Sequence, residues 1–357
     1  MQSLDNNTQA FLALVRAGLW ETGVRLSHFE SIDYSRVLTL AEEQSVVGLV
    51  AAGLEHVADV RVPKVDVLQF VGQTLQLEQR NEAMRQFTAV AVEKMRKNGL
   101  NPLLVKGQGI GQCYERPQWR TSGDIDFFFS KEDYPKAVEF FTSWSKNVVQ
   151  DSHYTKSFGV VIEPWFIEIH GTLRSTLSSR QIKEIDAVQE DTFRNGKFRI
   201  WKNGDTDIFL PEANNDLIFV FTHFVRHFYK EGVCIRQICD WCRLLLTFRN
   251  SIDKELLAER IEWMDLNDEW HAFASLAVDY LGMVENAMPL YEKDEKWHVK
   301  GEKILDYILN VRKSCKIGQT VTVAKIFPRN TMKFLPSILF HLNWLKIKER
   351  VLGDGNR

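Results

Sequence analysis

The stretch Leu103–Ser130 reads LLVKGQGIGQCYERPQWRTSGDIDFFFS. Its first residues, Leu103-Leu104-Val105, form an apolar run short enough for a buried strand. Lys106 and Gly107 break that run, and the segment Gly109-Ile110-Gly111 can open a helix. The stretch closes on Gly123-Asp124-Ile125-Asp126 and a second apolar run, Phe127-Phe128-Phe129. Alternate side chains on a strand share a face. Asp124 and Asp126 therefore point one way, while Ile125 and Phe127 point into the opposite layer. Two carboxylates this close repel each other, and an apolar strand seldom carries such a pair without a partner. A divalent cation between them removes that cost, because Mg²⁺ is held by one or two carboxylates plus substrate phosphates. Backbone N–H groups at a helix start, with a lysine beside them, favour a triphosphate. The plainer readings are a solvated acid pair at a strand end and an ordinary strand-to-helix turn.

The ordered set of these residues resembles a known family. A strand, a turn into a helix and Asp-x-Asp on the next strand is the pattern of nucleotidyltransferases with the DNA polymerase beta-like core. The closer resemblance is to the bacterial group called uncharacterised nucleotidyltransferases. Its members carry a Lys-Gly turn, a Tyr, an Arg shortly before the carboxylates, and Gly-Asp-Ile-Asp. Here these are Lys106-Gly107, Tyr114, Arg120 and Gly123-Asp124-Ile125-Asp126. Gln108 stands where the wider superfamily prefers Ser or Gly, and the gap from Gly107 to Asp124 is longer than in the plainest members.

The run Trp165-Phe166-Ile167-Glu168-Ile169-His170 alternates, with Glu168 and His170 on one face. In the resembling family this strand carries an acid, a hydrophobe and His, and supplies the third metal carboxylate. Glu168 matches that acid, although Asp is commoner there. His170 reads best as a hydrogen-bonded histidine behind the metal ligands.

The resemblance implies transfer of a nucleoside monophosphate from an NTP to an acceptor, with release of pyrophosphate. Asp124, Asp126 and Glu168 would hold two Mg²⁺, or Mn²⁺ in their place. Lys106, Gly107 and Gln108 would steady the phosphates, Gly123 would line the nucleotide site, and Arg120 would stabilise developing charge. The acceptor stays open among small molecules, sugars, RNA and proteins. The alternative is a non-catalytic relative that binds a nucleotide or partner through its helical flanks.

The chain has 357 residues with 45% hydrophobic and 26% charged residues, as in ordinary globular proteins. A formal net charge of -2 argues against a generally basic nucleic-acid binder. Five scattered cysteines suggest no disulfide framework, so a cytoplasmic location is expected. The N-terminal residues lack a basic segment followed by a long apolar one, and no window is apolar enough to span a bilayer.

The pattern predicts an α+β fold. A small mixed-sheet core over 100–212 sits between a helical region at 1–99 and another at 213–357. Helices are expected after Thr8, over 34–52, 65–97, 134–144, 216–229 and 235–248, and in the segments 251–285 and 294–309. The runs 153–162 and 165–173 read as a hairpin. Asn195-Gly196 and Asn203-Gly204 are two further hairpin signals.

His223 and His227 lie four apart on one helical face, and Cys234, Cys239 and Cys242 follow. These are zinc-ligand types. The Cys pair sits in a helical pattern rather than a turn, which favours a structural reading. Asp240 is expected to be the buried partner of Arg236 or a histidine. The tail from Arg312 to Arg350 has nine Lys or Arg against one acid, Glu349, with apolar residues interleaved. It reads as a last core helix with solvated basic ends, or as a contact for an anionic partner or membrane surface.

Overall fold

In the computed structural model the described residues are 4–145, 147–152, 156–174, 177–311 and 316–353, with side chains omitted at 150–152 and 344–353. Four helices come first: α1 Asn6–Trp20, α2 Tyr34–Glu43, α3 Val47–Glu55 and α4 Lys64–Lys97. The central part runs β1 Leu103–Val105, α5 Gly107–Gly111, β2 Ile125–Phe128, α6 Tyr134–Trp144, β3 Asn147–Ser152, β4 Ser157–Ile162, β5 Trp165–His170, α7 Ser179–Asn195, β6 Phe198–Asn203 and β7 Thr206–Pro211. Seven helices follow: α8 Ala213–Lys230, α9 Ile235–Thr247, α10 Lys254–Trp263, α11 Asn267–Asp279, α12 Glu295–Asn310, α13 Lys316–Ile326 and α14 Pro328–Gly353. This is the α+β architecture expected, with a mixed seven-stranded sheet inside helical flanks.

The sheet order is β3-β4-β5-β2-β1-β7-β6. β2 lies antiparallel to β1 and parallel to β5. Its odd residues, Ile125, Phe127 and Phe129, join Ile167 and Ile169 in one apolar layer. The C-terminal half of α4 covers that layer with Met84, Val92 and Met95, and α6 adds Phe141. Phe128 faces the other way, into the larger core built by α8, α9 and the N-terminal helices. Its ring packs edge-on against Phe219 of α8 at 5.7 Å. Burying a Phe side chain contributes roughly 1.5–3 kcal/mol, so both faces of β2 are anchored.

Several local expectations are corrected. The helix cap near the N-terminus is Asp5, which accepts from the Thr8 amide at 3.1 Å. The helical segment 34–52 is two helices, because the chain turns at Ser45 with φ 57°. Asn195-Gly196 ends α7 rather than a hairpin. Gly196 has the left-handed φ of 59° that a helix C-terminus favours. α7 has no counterpart in the sequence reading, which placed no helix there. Asn203-Gly204 does join two strands, β6 and β7. β5 stops at His170.

Tail residues Arg312 and Lys313 lie outside the described residues, as do His153 of the first hairpin run and the side chains of Trp344, Leu345, Lys346, Lys348 and Arg350. Within α14, Phe334 and Ile338 are buried, and Phe334 packs on Tyr229 of α8 at 5.0 Å. No helix among the described residues is long and apolar enough to cross a membrane.

Candidate active site

The strand register brings the site together. Asp126 of β2 sits beside Glu168 of β5, and Phe128 sits beside His170. His170 Nε2 reaches back to Asp126 Oδ1 at 2.7 Å and lies 3.5 Å from Glu168 Oε2. On the far side of β5, the Ser157 hydroxyl of β4 donates to Glu168 Oε1. Across from Val105, the end of β1 delivers Lys106, whose ammonium donates to Asp126 Oδ1 at 2.9 Å.

Lys106 and Gly107 both have positive φ, 55° and 38°. For Lys106 this conformation costs about 1–3 kcal/mol, and such strain persists only where the surroundings hold it. Here the turn swings the lysine onto the carboxylates and starts α5. Gly107 supplies the second left-handed step, which a residue with a Cβ rarely takes.

Charge at the site is unbalanced toward the acids. Burial alone would push the Asp126 carboxyl up, but Lys106 and His170 outweigh burial and hold it well below the usual carboxylate range. Glu168 is lowered in the same way, with His170 and Lys106 again outweighing burial. Asp124, just before β2, goes the other way. The Asp126 charge beside it, then burial, push it up to about 6. Lys106 is raised because Asp126, Glu168 and Asp124 outweigh the desolvation of its ammonium. Asp126 is nearly sealed at 3% exposure, whereas the Glu168 and Lys106 side chains keep 20% and 21%. Solvent and ligands therefore reach the cluster from the Glu168 and Lys106 side.

Among the described residues, one group of three side chains converges closely enough to hold a metal ion: Asp126, Glu168 and His170, with ligand atoms within 4.8 Å of one another. The two carboxylates are ligand types of Mg²⁺ and Mn²⁺, whereas an imidazole is a ligand type of softer divalent metals. The expected trio was Asp124, Asp126 and Glu168. Asp124 stands outside the converging group, and His170 takes the third place. The signal was present in sequence, since His170 shares the Glu168 face of an alternating strand.

A family model described as "Uncharacterised nucleotidyltransferase" matches residues 30–282, well over half of the chain. The chain belongs to this nucleotidyltransferase family. No curated protein and no solved structure matches it.

Two residues expected at the nucleotide in this family member are engaged inside the protein. Arg120 forms a buried two-pronged pair with Asp240 of α9, at 3.0 Å from Nε and 2.6 Å from Nη2. Its remaining nitrogen donates to the Thr121 carbonyl and the Ser122 hydroxyl. The partner of Asp240 is thus Arg120, with the Tyr114 hydroxyl donating as well at 2.8 Å. Gln108 turns its amide to the Asn81 carbonyl on α4, at 2.8 Å.

The loop before Asp124 is held from several directions. Asn81 donates to the Gln118 and Arg120 carbonyls, Arg236 to Thr121 and Arg80 to Gly123. These anchors come from α4 and α9, far away in sequence, and no local pattern announces them. The zinc-type cluster does not converge. Cys239 and Cys242 are buried free thiols, while His223 and His227 meet edge-on at 4.4 Å between ring centres.

Proposed function

We propose that this protein transfers a nucleoside monophosphate from an NTP to an acceptor hydroxyl and releases pyrophosphate. The observation that carries the reading is Asp126 beside Glu168 on paired strands, with the strained Lys106-Gly107 turn delivering a cation to them. That surplus of acids next to a helix start suits a metal-bound triphosphate.

Asp126 and Glu168, with His170 and with Asp124 at the rim, would hold the divalent ions; two Mg²⁺ are the expected number. Such ions, when bound, supply charge neutralisation for the triphosphate and make the acceptor hydroxyl more acidic. His170 orients Asp126 and keeps it ionised. Ser157 fixes the rotamer of Glu168. Lys106 is close enough to exchange its contact with Asp126 for a phosphate oxygen, and the Gly107 amide would add a hydrogen bond there. The acceptor oxygen attacks the α-phosphorus, and the bond from that phosphorus to the bridging oxygen breaks. Pyrophosphate leaves with the electron pair, and the acceptor proton passes by way of Glu168 to solvent. Positioning and electrostatics carry most of the rate in such transfers. A cytosolic setting, where thiols stay reduced, suits the free Cys113, Cys239 and Cys242.

The test is incubation of the purified chain with each α-labelled NTP and Mg²⁺ or Mn²⁺, with and without a host lysate and RNA. Pyrophosphate release that disappears in Asp124→Ala/Asp126→Ala is expected, and the labelled species names the acceptor. No release under any condition, together with no metal-dependent NTP binding, would turn the reading to the non-catalytic alternative.

A further inference from the structure

The residues assigned by resemblance to the phosphates leave a question. Arg120 and Gln108 hold the fold together, so of the side chains assigned to the phosphates Lys106 is the one whose charge lies at the carboxylates. Further donors are on α8. Phe219 of that helix packs on Phe128 of β2, two residues along the same face from Asp126. One turn on from Phe219 is His223, followed by Arg226 and His227 on the same stripe. This stripe is the half-buried line of a helix whose neighbours Phe221, Phe224, Val225 and Phe228 are fully buried. From His223 to Arg226 the helix rises about 4.5 Å, so the two side chains leave the same face within one turn.

Like charges converge here as well. The His223 imidazole is driven well below its usual range, first by burial and then by the positive charge of Lys106, His227, Arg226 and His170. Arg226 donates to His227 Nε2 at 3.1 Å and makes no ion pair with an acid among the described residues. Glu231, the nearest acid on this helix, pairs instead with His227 at 2.8 Å. Against burial, the Arg226 charge helps His227 hold the Glu231 carboxyl low. A half-buried guanidinium that makes no direct ion pair, on the helix that packs against the Asp126 strand, is suited to an anion.

We infer that His223 and Arg226 bind the β- and γ-phosphates of the NTP and hold the pyrophosphate as it leaves. The inference rests on the nucleotidyl-transfer reading and adds its leaving-group site. It also gives the helical region after the sheet a direct part in substrate binding. Fixed donors aimed at the leaving group stabilise charge as it develops.

The experiment is calorimetric titration of the full chain with inorganic tripolyphosphate, ATP and AMP in Mg²⁺ buffer. It compares wild type with Arg226→Ala and His223→Gln, and circular dichroism checks the fold of each. Tripolyphosphate and ATP binding are expected to weaken by roughly 10- to 100-fold in Arg226→Ala and less in His223→Gln. AMP binding is expected to stay unchanged. Tripolyphosphate binding by Arg226→Ala equal to wild type would overturn the inference, and so would an equal loss for AMP. A wild-type chain that binds no tripolyphosphate would overturn it too. In each of these cases the labelled-NTP assay judges nucleotidyl transfer separately.

Discussion

Asp126 and Asp240 are both buried carboxylates that meet a cation, yet they sit in opposite electrostatic settings. Asp240 is balanced. Arg120 grips both of its oxygens, Tyr114 donates a third hydrogen bond, and Arg236 adds positive charge nearby. Asp126 is crowded by acids. Glu168 and Asp124 add negative charge around it, and Lys106 and His170 both donate to one oxygen. A third buried acid, Glu269 of α11, meets no cation among the described residues and is held by Tyr229 and by Asn330 at 2.8 Å. The three cases separate roles. A saturated pair fixes a loop, a neutralised acid fills a core, and a surplus of acids at an opening suits a cationic ligand.

The largest expected effect distinguishes the first two. Asp126→Asn should lower pyrophosphate release by about 1,000-fold or more, with the urea midpoint kept. A similar loss of folding stability would place Asp126 among the structural pairs. Asp240→Asn should do the reverse and cost about 3–5 kcal/mol in urea unfolding, because it leaves the Arg120 guanidinium buried without its partner. An unfolding curve that overlays wild type breaks the comparison.

Glu269 tests the third case through pH. Burial pushes its carboxyl up from 4.5 to about 7. Below pH 4.5 both folded and unfolded chains hold the proton, so the residue has no effect. As pH rises from 4.5 to 7 the unfolded chain ionises first, and the folded state loses stability. Glu269→Gln should therefore stabilise by about 3 kcal/mol at pH 8 and do nothing at pH 4. Equal gains at both values would show that ionisation is not the cause.

A smaller effect follows from Asp124, raised to about 6. Pyrophosphate release should climb with pH as this acid ionises, with about a tenfold deficit at pH 5 relative to the plateau. If Asp124→Asn keeps that acidic limb in its residual activity, another group is responsible. The smallest effect belongs to the exposed pair of Arg174 and Asp186, whose side chains are 36% and 40% exposed. Asp186→Asn should change stability by less than about 1 kcal/mol, and a larger loss in thermal melts would mean the pair does more than a surface contact.

Much of the site was legible because it is local. Asp126, Glu168 and His170 follow from period-two alternation on two strands, and Lys106-Gly107 follows from an apolar run broken by a turn. Arg120 and Gln108 have internal partners for an equally physical reason. Each is a donor near the phosphates in sequence, but a buried acid on α9 and a carbonyl on α4 compete for them. Partners 120 and 27 residues away leave no local trace. Asn195-Gly196 was ambiguous because the same left-handed step closes a hairpin or ends a helix, and only the packing of α7 decides.

The sequence by itself determined most of the elements, though not α7, together with the residues able to carry the chemistry, since periodicity and turn residues act within a few positions. The tertiary structure alone decided which acids converge, which cations are engaged and which are left facing the site. It also decided that α8 lies over the Asp126 face. Those outcomes depend on strand register and on distant charges sharing a buried space, where burial and Coulomb forces act between residues that the chain order keeps apart.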